Sequence, residues 1–535
     1  MARATSRTAS KADHSSDPVD TPPSPDASGT LWKWAIVALY GVVVLAMVPV
    51  HEPWRDEAHT WLIARDLSYG GIIQQMHYEG YPPLWFLLQA PMAKLGLPFA
   101  SLGVLNALCA TLAVAVMVFF SPFALWQKAL LAFSYGLFCH FGMVWRCYSL
   151  LVLALFLVAA VYPARHRRPL IYALCVVFLA NVHVLSLGVA LLLLLGFIVG
   201  MVRRHAGGSR AVAQAGAATG PAATLLPANL LAGLIMAAGI TLVIVQLRQL
   251  PDGRNPGLFP LFQPMVPLDF LAGAFDSTGH FPAVPFDVCS LAAFVLLLWD
   301  LRKARDAFWL LLLTYLGWCY VFTFKNIGPF PHHFPLLLLM MVVACWMARM
   351  SSPPASSLDV HLQNGSFQRR WRLPLREAIV FASLGYSLLN VPEWIYNEIR
   401  YPFSAGKEAA MVLRQVSLSE PMVAYEFAYG ESLLPYLPGR KFWSLEMGRF
   451  DTFHTPCRQY DAGKIPGVEE FLKRIARAFP NRHPWIVLGS EHHVSGIEEA
   501  GYDLVYPSSP VRVWGFGGPP EMFWVYRPKD TSDPK

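Results

Sequence analysis

The chain has 535 residues, of which 55% are hydrophobic and only 14% are charged, and its formal net charge is +7. Soluble globular proteins carry about 25% charged residues, so this composition, with a mean hydropathy of +0.40, excludes a soluble globular protein, a disordered chain and a small disulfide scaffold. A polytopic membrane protein remains. Its surplus positive charge is expected in loops that set orientation, and no nucleic-acid partner is expected.

The distribution of charge divides the chain into three parts. Residues 1–30 are rich in Ser, Thr, Pro, Asp and Ala and lack apolar periodicity, which predicts a disordered cytoplasmic tail. Residues 31–399 are mostly apolar and are expected to form the membrane domain. Residues 400–535 hold 32 of the 77 charged side chains, a proportion typical of soluble proteins. We therefore expect a separate soluble domain at the C-terminus.

Eleven apolar segments of the membrane domain are candidate transmembrane helices, since a span needs roughly 20 mostly apolar residues. They are residues 31–50, 100–120, 126–144, 148–162, 170–184, 185–202, 225–247, 286–299, 307–324, 334–349 and 376–396. Segment 83–96 is also apolar, but it is too short for a span and suits a helix that lies along the membrane surface.

The positions of Lys and Arg set the expected orientation. With 83–96 on the surface and the N-terminus in the cytoplasm, 18 basic residues fall inside and 7 fall in short outer loops, as expected because basic residues favour the cytoplasmic side. Two outer loops, 51–99 and 248–285, are then long. The C-terminal domain is extracytoplasmic and α/β, with a predicted amphipathic helix at 467–479 and predicted strands at 422–427 and 485–489.

Polar residues of types that carry chemistry collect on this outer face. The first outer loop begins with Arg55, Asp56 and Glu57, and later contains His77, Tyr78 and Glu79. Other outer segments supply five further candidates, which are Arg146, Tyr148, Lys325, His332 and His333. Ionisable residues at membrane depth are costly and therefore mark functional sites. Their placement on one face predicts a reaction site at the outer boundary.

Two roles follow from these residue types. Asp56 and Glu57 cannot both face one pocket if they lie on a helix, so one is expected to face the substrate while the other packs or pairs nearby, for example with Arg55. A carboxylate at a partly desolvated boundary can have a raised pKa and act as a base. Cationic Arg, Lys and His side chains can hold a phosphate through charge-assisted hydrogen bonds.

Simpler interpretations remain open for each residue. Asp56 and Glu57 can be ordinary loop residues that solvate a helix end, and Arg146 can contact lipid headgroups. His332 and His333 fit an interfacial cap better than a metal site. In the C-terminal domain, Glu431 and His454 are expected to be surface or fold residues. The spacing His454-x-x-Cys457 is too small a set to indicate a metal site.

The order of motifs in the first outer loop resembles that of the GT-C superfamily of integral-membrane glycosyltransferases. The first span is followed by W-R-D-E-A-H at Trp54–His59 and then by Y-E-G-Y-P-P-L-W at Tyr78–Trp85. This order is most similar to the branch that contains protein mannosyltransferases and lipid A aminoarabinose transferases. The segment R-C-Y-S-L-L at Arg146–Leu151 resembles the R-x-Y-x-L element of bacterial members. The resemblance covers roughly residues 31–350.

The resemblance implies a GT-C fold and sugar transfer from a polyprenyl-phosphate donor on the extracytoplasmic face of a bacterial inner membrane. Asp56 matches the family's catalytic Asp, Glu57 its partner and Glu79 the second acidic position. Arg146 and Lys325 would stabilise the leaving phosphate. The branch needs no catalytic metal, so neither a metal nor another cofactor is expected. The acceptor can be a lipid, a glycan or a protein.

Two other function classes remain open. A transporter or flippase of lipid-linked glycans would need polar groups through the depth of the membrane, whereas the candidates here lie at one face. A membrane sensor whose outer domain binds a ligand would leave Asp56, Glu57 and Glu79 without a role. The sequence therefore favours the enzyme.

Overall fold

The computed structural model describes residues 27–215, 226–253, 265–276, 283–324, 331–351, 373–489, 496–507, 513–514 and 521–529. Most of the predicted tail lies outside these residues, although its last four residues belong to the first helix. Lys325, one of the predicted phosphate ligands, also lies outside them.

The segment 51–99, which follows the first helix, is itself largely helical. Helix α1 covers Ala27–Met47, and the next four helices are α2 at Arg55–Asp66, α3 at Tyr69–Glu79, α4 at Leu84–Lys94 and α5 at Ser101–Phe120. The membrane part continues with helices Leu125–Ala132, Tyr148–Val161, Pro169–Ala180, Val184–Ala215, Leu226–Gln246, Val266–Phe275, Ala283–Leu301, Arg305–Phe324, Phe334–Ser351, Leu375–Ser387 and Val391–Arg400.

Seven helices of the described residues are long and apolar enough to cross a membrane. They cover Gly29–Met47, Ser101–Phe120, Val184–Ala206, Leu226–Gln246, Arg305–Thr323, Phe334–Ser351 and Leu375–Arg400. Three further apolar helices are shorter, at Tyr148–Ala164, Pro169–Ala180 and Val266–Phe275. The predicted total of about eleven spans is therefore not confirmed.

One predicted span, 126–144, is not a continuous helix. Helix Leu125–Ala132 ends, and a π-helix at Tyr135–His140 and a single turn at Phe141–Met143 follow. Ser134 lies at the break in an extended conformation, and its hydroxyl donates to the Leu131 carbonyl at 2.8 Å. Serine hydroxyls compete with the backbone in this way, which hydropathy alone does not detect.

The long helices present apolar side chains outward as well as inward. Leu112, Leu195, Leu234 and Leu242 are all more than half exposed, whereas contiguous apolar surface of this kind is rare on soluble monomers. Hydrocarbon tails are the environment that such a surface requires. Together with the length of the helices, this indicates an integral membrane protein.

A six-stranded mixed sheet forms the centre of the C-terminal region. Its strands are β1 at Met422–Tyr425, β2 at Phe442–Ser444, β3 at Arg449–Asp451, β4 at Trp485–Gly489, β5 at Tyr502–Tyr506 and β6 at Phe523–Pro528. They lie in the order β3-β2-β1-β4-β6-β5, with β1 parallel to both β2 and β4. Helix Gly406–Leu413 packs near it, and helix Val468–Ala478 buries Phe471 and Ile475, as the amphipathic pattern predicts.

Helix α2 joins the two parts of the molecule. It packs against α4 on one side, and on the other its Leu62 is fully buried in the same hydrophobic cluster as Phe427, Phe442 and Val487 of the C-terminal region. Helix α4 has 11 residues, about 16 Å at 1.5 Å per residue, which is too short to span a membrane. Segment 51–99 is thus a layer of short helices between the long helices and the sheet.

Candidate functional site

The candidate site is built around the first turn of α2. Asp56 and Glu57 are consecutive residues there, and successive helical positions point about 100° apart. The two carboxylates therefore separate: Asp56 lines a cavity, whereas Glu57 is fully buried. Acidic side chains are also favourable at this end of a helix, because the unpaired backbone amides carry partial positive charge.

Asp56 is held by two guanidinium groups. Arg146 donates a hydrogen bond to Asp56 Oδ2, and Arg55 Nε lies 3.7 Å from Asp56 Oδ1. The side chain of Asp56 stays 32% exposed, while that of Arg146 is only 10% exposed. Burial disfavours the carboxylate charge, but Arg146 and Arg55 outweigh it and lower the pKa of Asp56. Asp56 is consequently ionised and can accept a hydrogen bond, but its lowered pKa is the opposite of the raised pKa expected for a base and makes it a weaker proton acceptor.

Glu57 organises the backbone around the site. Its carboxylate accepts hydrogen bonds from the amide of Trp54 at 2.9 Å and from the amide of Trp145 at 2.5 Å. His51 Nε2 lies 3.1 Å from the same carboxylate, and His51 Nδ1 contacts Glu398. Although burial opposes it, Glu57 and Glu398 raise the pKa of His51 to about 10. Glu57 therefore fixes the start of α2 against the segment that carries Arg146.

A cavity of about 400 Å³ lies beside Asp56. Its wall combines charged groups with apolar and aromatic side chains. The predicted residues that line it are Arg55, Asp56, Tyr78, Glu79, Arg146 and His333, and the further lining residues include His59, Tyr81, Trp85, Phe86, His183, Val184, Leu185 and His454. Such a mixture suits an amphiphilic ligand with an anionic group and an apolar chain.

The placement of Glu79 at the cavity wall depends on a turn at one glycine. Helix α3 ends at Glu79, and Gly80 follows with a φ of 71° in the left-handed region, where residues with a side chain are strained. This turn reverses the chain toward Pro82 and α4. It places Glu79 at the cavity wall, with its Oε1 accepting from Gln75 Nε2 at 2.8 Å.

Histidine 183 supplies a hydrogen-bond donor to the same cavity. Its Nδ1 accepts from the Leu185 amide at 3.1 Å, so in the neutral ring the proton is on Nε2. That nitrogen has no partner among the described residues. The hydroxyl of Tyr148, whose ring lies 5.3 Å from that of His183, is likewise unpartnered there.

Three further predicted residues, which are His77, Tyr148 and His332, lie outside the cavity wall. His77 Nδ1 contacts the Arg248 carbonyl at 2.7 Å, away from Asp56. Tyr78 does line the cavity, but its hydroxyl donates to Asp252 at 3.0 Å. Tyr148 is buried behind Arg146, whose guanidinium lies 5.8 Å from the Tyr148 ring. His332 stacks near His140, with ring centroids 6.4 Å apart.

The C-terminal region contributes Glu431 and His454 to the site, although the sequence analysis predicted only surface or structural roles for them. Glu431 is fully buried, and its carboxylate contacts His59 Nδ1 and His454 Nδ1, each at 2.7 Å. Burial raises its pKa, but His454 and His59 outweigh that effect and lower the pKa of Glu431 to about 2. The pKa of His59 is raised well above its usual value because Glu79 and Glu431 outweigh burial. No local pattern marks Glu431 or His454, since their partner lies in another part of the chain.

A second contact between the two parts lies at Glu521. Its carboxylate accepts from the Arg55 amide at 3.1 Å and from the Ser404 hydroxyl at 2.5 Å. Burial raises the pKa of Glu521 to about 7, although Ser404 and Arg55 act in the opposite direction. Arg55 itself lies over the Tyr429 ring at 4.9 Å, so both ends of this residue are held by the C-terminal region.

The chain matches no protein-family model and no curated protein.

Proposed function

We propose that this protein is a glycosyltransferase of the GT-C type, which transfers a sugar from a polyprenyl-phosphate donor to an acceptor hydroxyl on the extracytoplasmic face of a bacterial inner membrane. The observation that carries the proposal is the direct contact of Asp56 and Arg146 at one cavity. A proton acceptor and a phosphate ligand are then within reach of one substrate. The order of motifs around Trp54–His59 and Tyr78–Trp85 supports the same function.

The reaction is a direct displacement. Asp56 accepts the proton of the acceptor hydroxyl as its oxygen forms a bond to the anomeric carbon. The bond between this carbon and the phosphate oxygen breaks, and the polyprenyl phosphate leaves with the electron pair. The configuration at the anomeric carbon inverts. A phosphate leaves as an anion, so no second carboxylic acid is required to protonate it.

Cations stabilise the charge that develops on the leaving group. Arg146 is almost completely buried and always charged, so its attraction for a phosphate is only weakly screened. Arg55 and the Nε2–H of His183 provide further donors at the same wall. Apolar side chains such as Trp85, Phe86 and Leu185 accommodate the first isoprene units.

The test is transfer by the full-length protein purified in detergent. It is incubated with a panel of defined polyprenyl-phosphate sugars and with lipid, glycan and peptide acceptors, and release of free polyprenyl phosphate is measured. Asp56→Asn removes the proposed proton acceptor. Asp66→Asn is the matched control, because Asp66 lies at the other end of α2, is exposed and pairs with Arg65.

The expected result is release with at least one sugar by wild type and Asp66→Asn, and strong loss in Asp56→Asn. Absence of release with every donor, or equal release by Asp56→Asn, would overturn the proposal.

A further inference from the structure

Three metal-ligating side chains meet where α2 contacts the C-terminal region. His59 belongs to α2, Glu431 follows β1, and His454 follows β3. One ligand atom of each lies within 4.8 Å of the others. Glu431 receives the Nδ1 atoms of both histidines at 2.7 Å, one on each carboxylate oxygen, and the two imidazole rings are 4.7 Å apart.

We propose that His59, Glu431 and His454 bind a zinc ion that fastens α2 to the C-terminal region. Two imidazoles and one carboxylate form a common zinc ligand set, in which a water molecule completes the tetrahedron. Glu431 is fully buried, and both histidines are largely buried, so an ion here is shielded from competing solvent. No step of the proposed sugar transfer uses the ion, although His59 and His454 also line the cavity beside Asp56.

The surroundings of His59 fit a metal-bound histidine. Its Nε2 lies 2.9 Å from Glu79 Oε2, while its Nδ1 faces Glu431 and His454. Metal-binding histidines usually donate their second N–H to a carboxylate, which fixes the ring and makes the other nitrogen a better ligand. Glu79 is itself held by Gln75. The chain His59–Glu79–Gln75 thus orients one ligand of the site.

Zinc binding requires a small rearrangement. Zinc–nitrogen and zinc–oxygen distances of about 2.0–2.1 Å place tetrahedral ligand atoms roughly 3.3 Å apart, compared with 2.7 Å between Glu431 and each histidine. The two Glu431–histidine pairs therefore have to open by several tenths of an ångström, and the widest separation in the set, up to 4.8 Å, has to close. The ion then replaces hydrogen bonds that otherwise require protons on both Nδ1 atoms. Protons and zinc therefore compete for the same atoms.

The first experiment is a zinc titration of the full-length protein in detergent after treatment with a chelator. We expect one zinc ion per chain with a Kd below about 1 µM, and a higher unfolding temperature when zinc is added, because a ligand that binds only the folded state stabilises it. A wild-type protein that binds no stoichiometric zinc, or that prefers manganese to zinc, would overturn the inference. This experiment uses the wild-type protein, so its result does not depend on whether a variant folds.

Three variants test the ligand assignment. His454→Ala removes a ligand and should weaken zinc binding by at least about 100-fold. Glu79→Gln alters only the carboxylate behind His59 and should weaken it by about 10- to 100-fold, the range typical of such outer residues. His483→Ala is the control, since His483 is an exposed histidine of the same region, and it should bind zinc as wild type does. Equal affinity in all three variants would place the ion elsewhere.

Discussion

Asp56 and Arg146 are 90 positions apart in the sequence, yet their side chains are in direct contact. The contact places a carboxylate and a permanent cation at the wall of one cavity. Each residue limits the other: Arg146 keeps Asp56 ionised, and Asp56 occupies part of the guanidinium that the proposed phosphate would contact. The first two predictions separate these roles.

Asp56→Asn should decrease turnover by about 100- to 10,000-fold, the usual contribution of general-base catalysis. The amide preserves the size of the side chain but cannot accept the hydroxyl proton. The measurement is the initial transfer rate at saturating donor. The unfolding temperature should fall only slightly, because the amide still fills the site although the buried Arg146 guanidinium loses its carboxylate partner. Near wild-type turnover would remove Asp56 from the mechanism and make Glu79 the next candidate.

Arg146→Ala should weaken use of the donor more than it affects the acceptor. Its guanidinium is more buried than that of Arg55, so its loss should remove phosphate binding that Arg55 cannot replace. We expect a higher KM for the donor and weaker inhibition by free polyprenyl phosphate, while the KM for the acceptor changes little. If donor KM and product inhibition are both unchanged, the phosphate binds elsewhere.

Glu57→Gln should destabilise the protein more than Asp56→Asn does. A glutamine side chain has one acceptor oxygen in place of two, so one of the amides of Trp54 and Trp145 is left without a partner. A buried unsatisfied donor costs about 1–3 kcal/mol. The comparison is between the unfolding temperatures of the two variants in the same detergent. A Glu57→Gln protein as stable as Asp56→Asn would contradict the structural role of Glu57.

Glu521, which joins Arg55 of α2 to the C-terminal region, should make the stability of the protein depend on pH. Its pKa is about 7 in the folded protein, compared with 4.5 as the usual value. A raised carboxyl pKa adds stability below pH 4.5, and this contribution is lost as the pH rises to 7. One pKa unit corresponds to about 1.4 kcal/mol.

The corresponding variant is Glu521→Gln, which does not titrate. Between pH 5 and pH 8, the unfolding temperature of wild type should fall by a few degrees relative to that of this variant. A constant difference over that range would show that Glu521 does not titrate there.

Orientation can be tested with single cysteines. A cysteine at Ser419 in the C-terminal region should react with a membrane-impermeant reagent added outside, whereas one at Lys303, between two long helices, should not. Both positions are exposed. The native Cys289 is exposed as well and has to be replaced by serine first. Outside labelling of Lys303→Cys would reverse the proposed topology.

Local patterns predicted much of this architecture. The amphipathic pattern of residues 467–479 predicted the helix at Val468–Ala478. Helical geometry predicted that Asp56 and Glu57 point apart. These features depend only on neighbours in sequence. Hydropathy also located the long helices, but it did not detect the break at Ser134, because helix ends depend on hydrogen bonds rather than on apolar content.

Long-range pairs could not be predicted in the same way. Glu431 and His454 appeared as isolated polar residues, since nothing near them indicates that His59 lies 372 residues before Glu431 in the chain and contacts it. Glu521 showed no signal at all for the same reason. Arg146 was identified by its type and position, but its contact with Asp56 required the packing of the helices between them.

The burial of Leu62 among residues of the C-terminal region has a consequence for biosynthesis. Helix α2 is made long before the surface that covers it, and at about 5–20 residues per second the interval of 372 residues between His59 and Glu431 lasts roughly 20 to 75 seconds. During that time the ribosome is still adding helices, and α2 carries an uncovered leucine and incomplete polar contacts. A nascent chain that stalls before residue 431 therefore presents an unfinished surface to quality-control proteases, so truncated products should be degraded rather than accumulate.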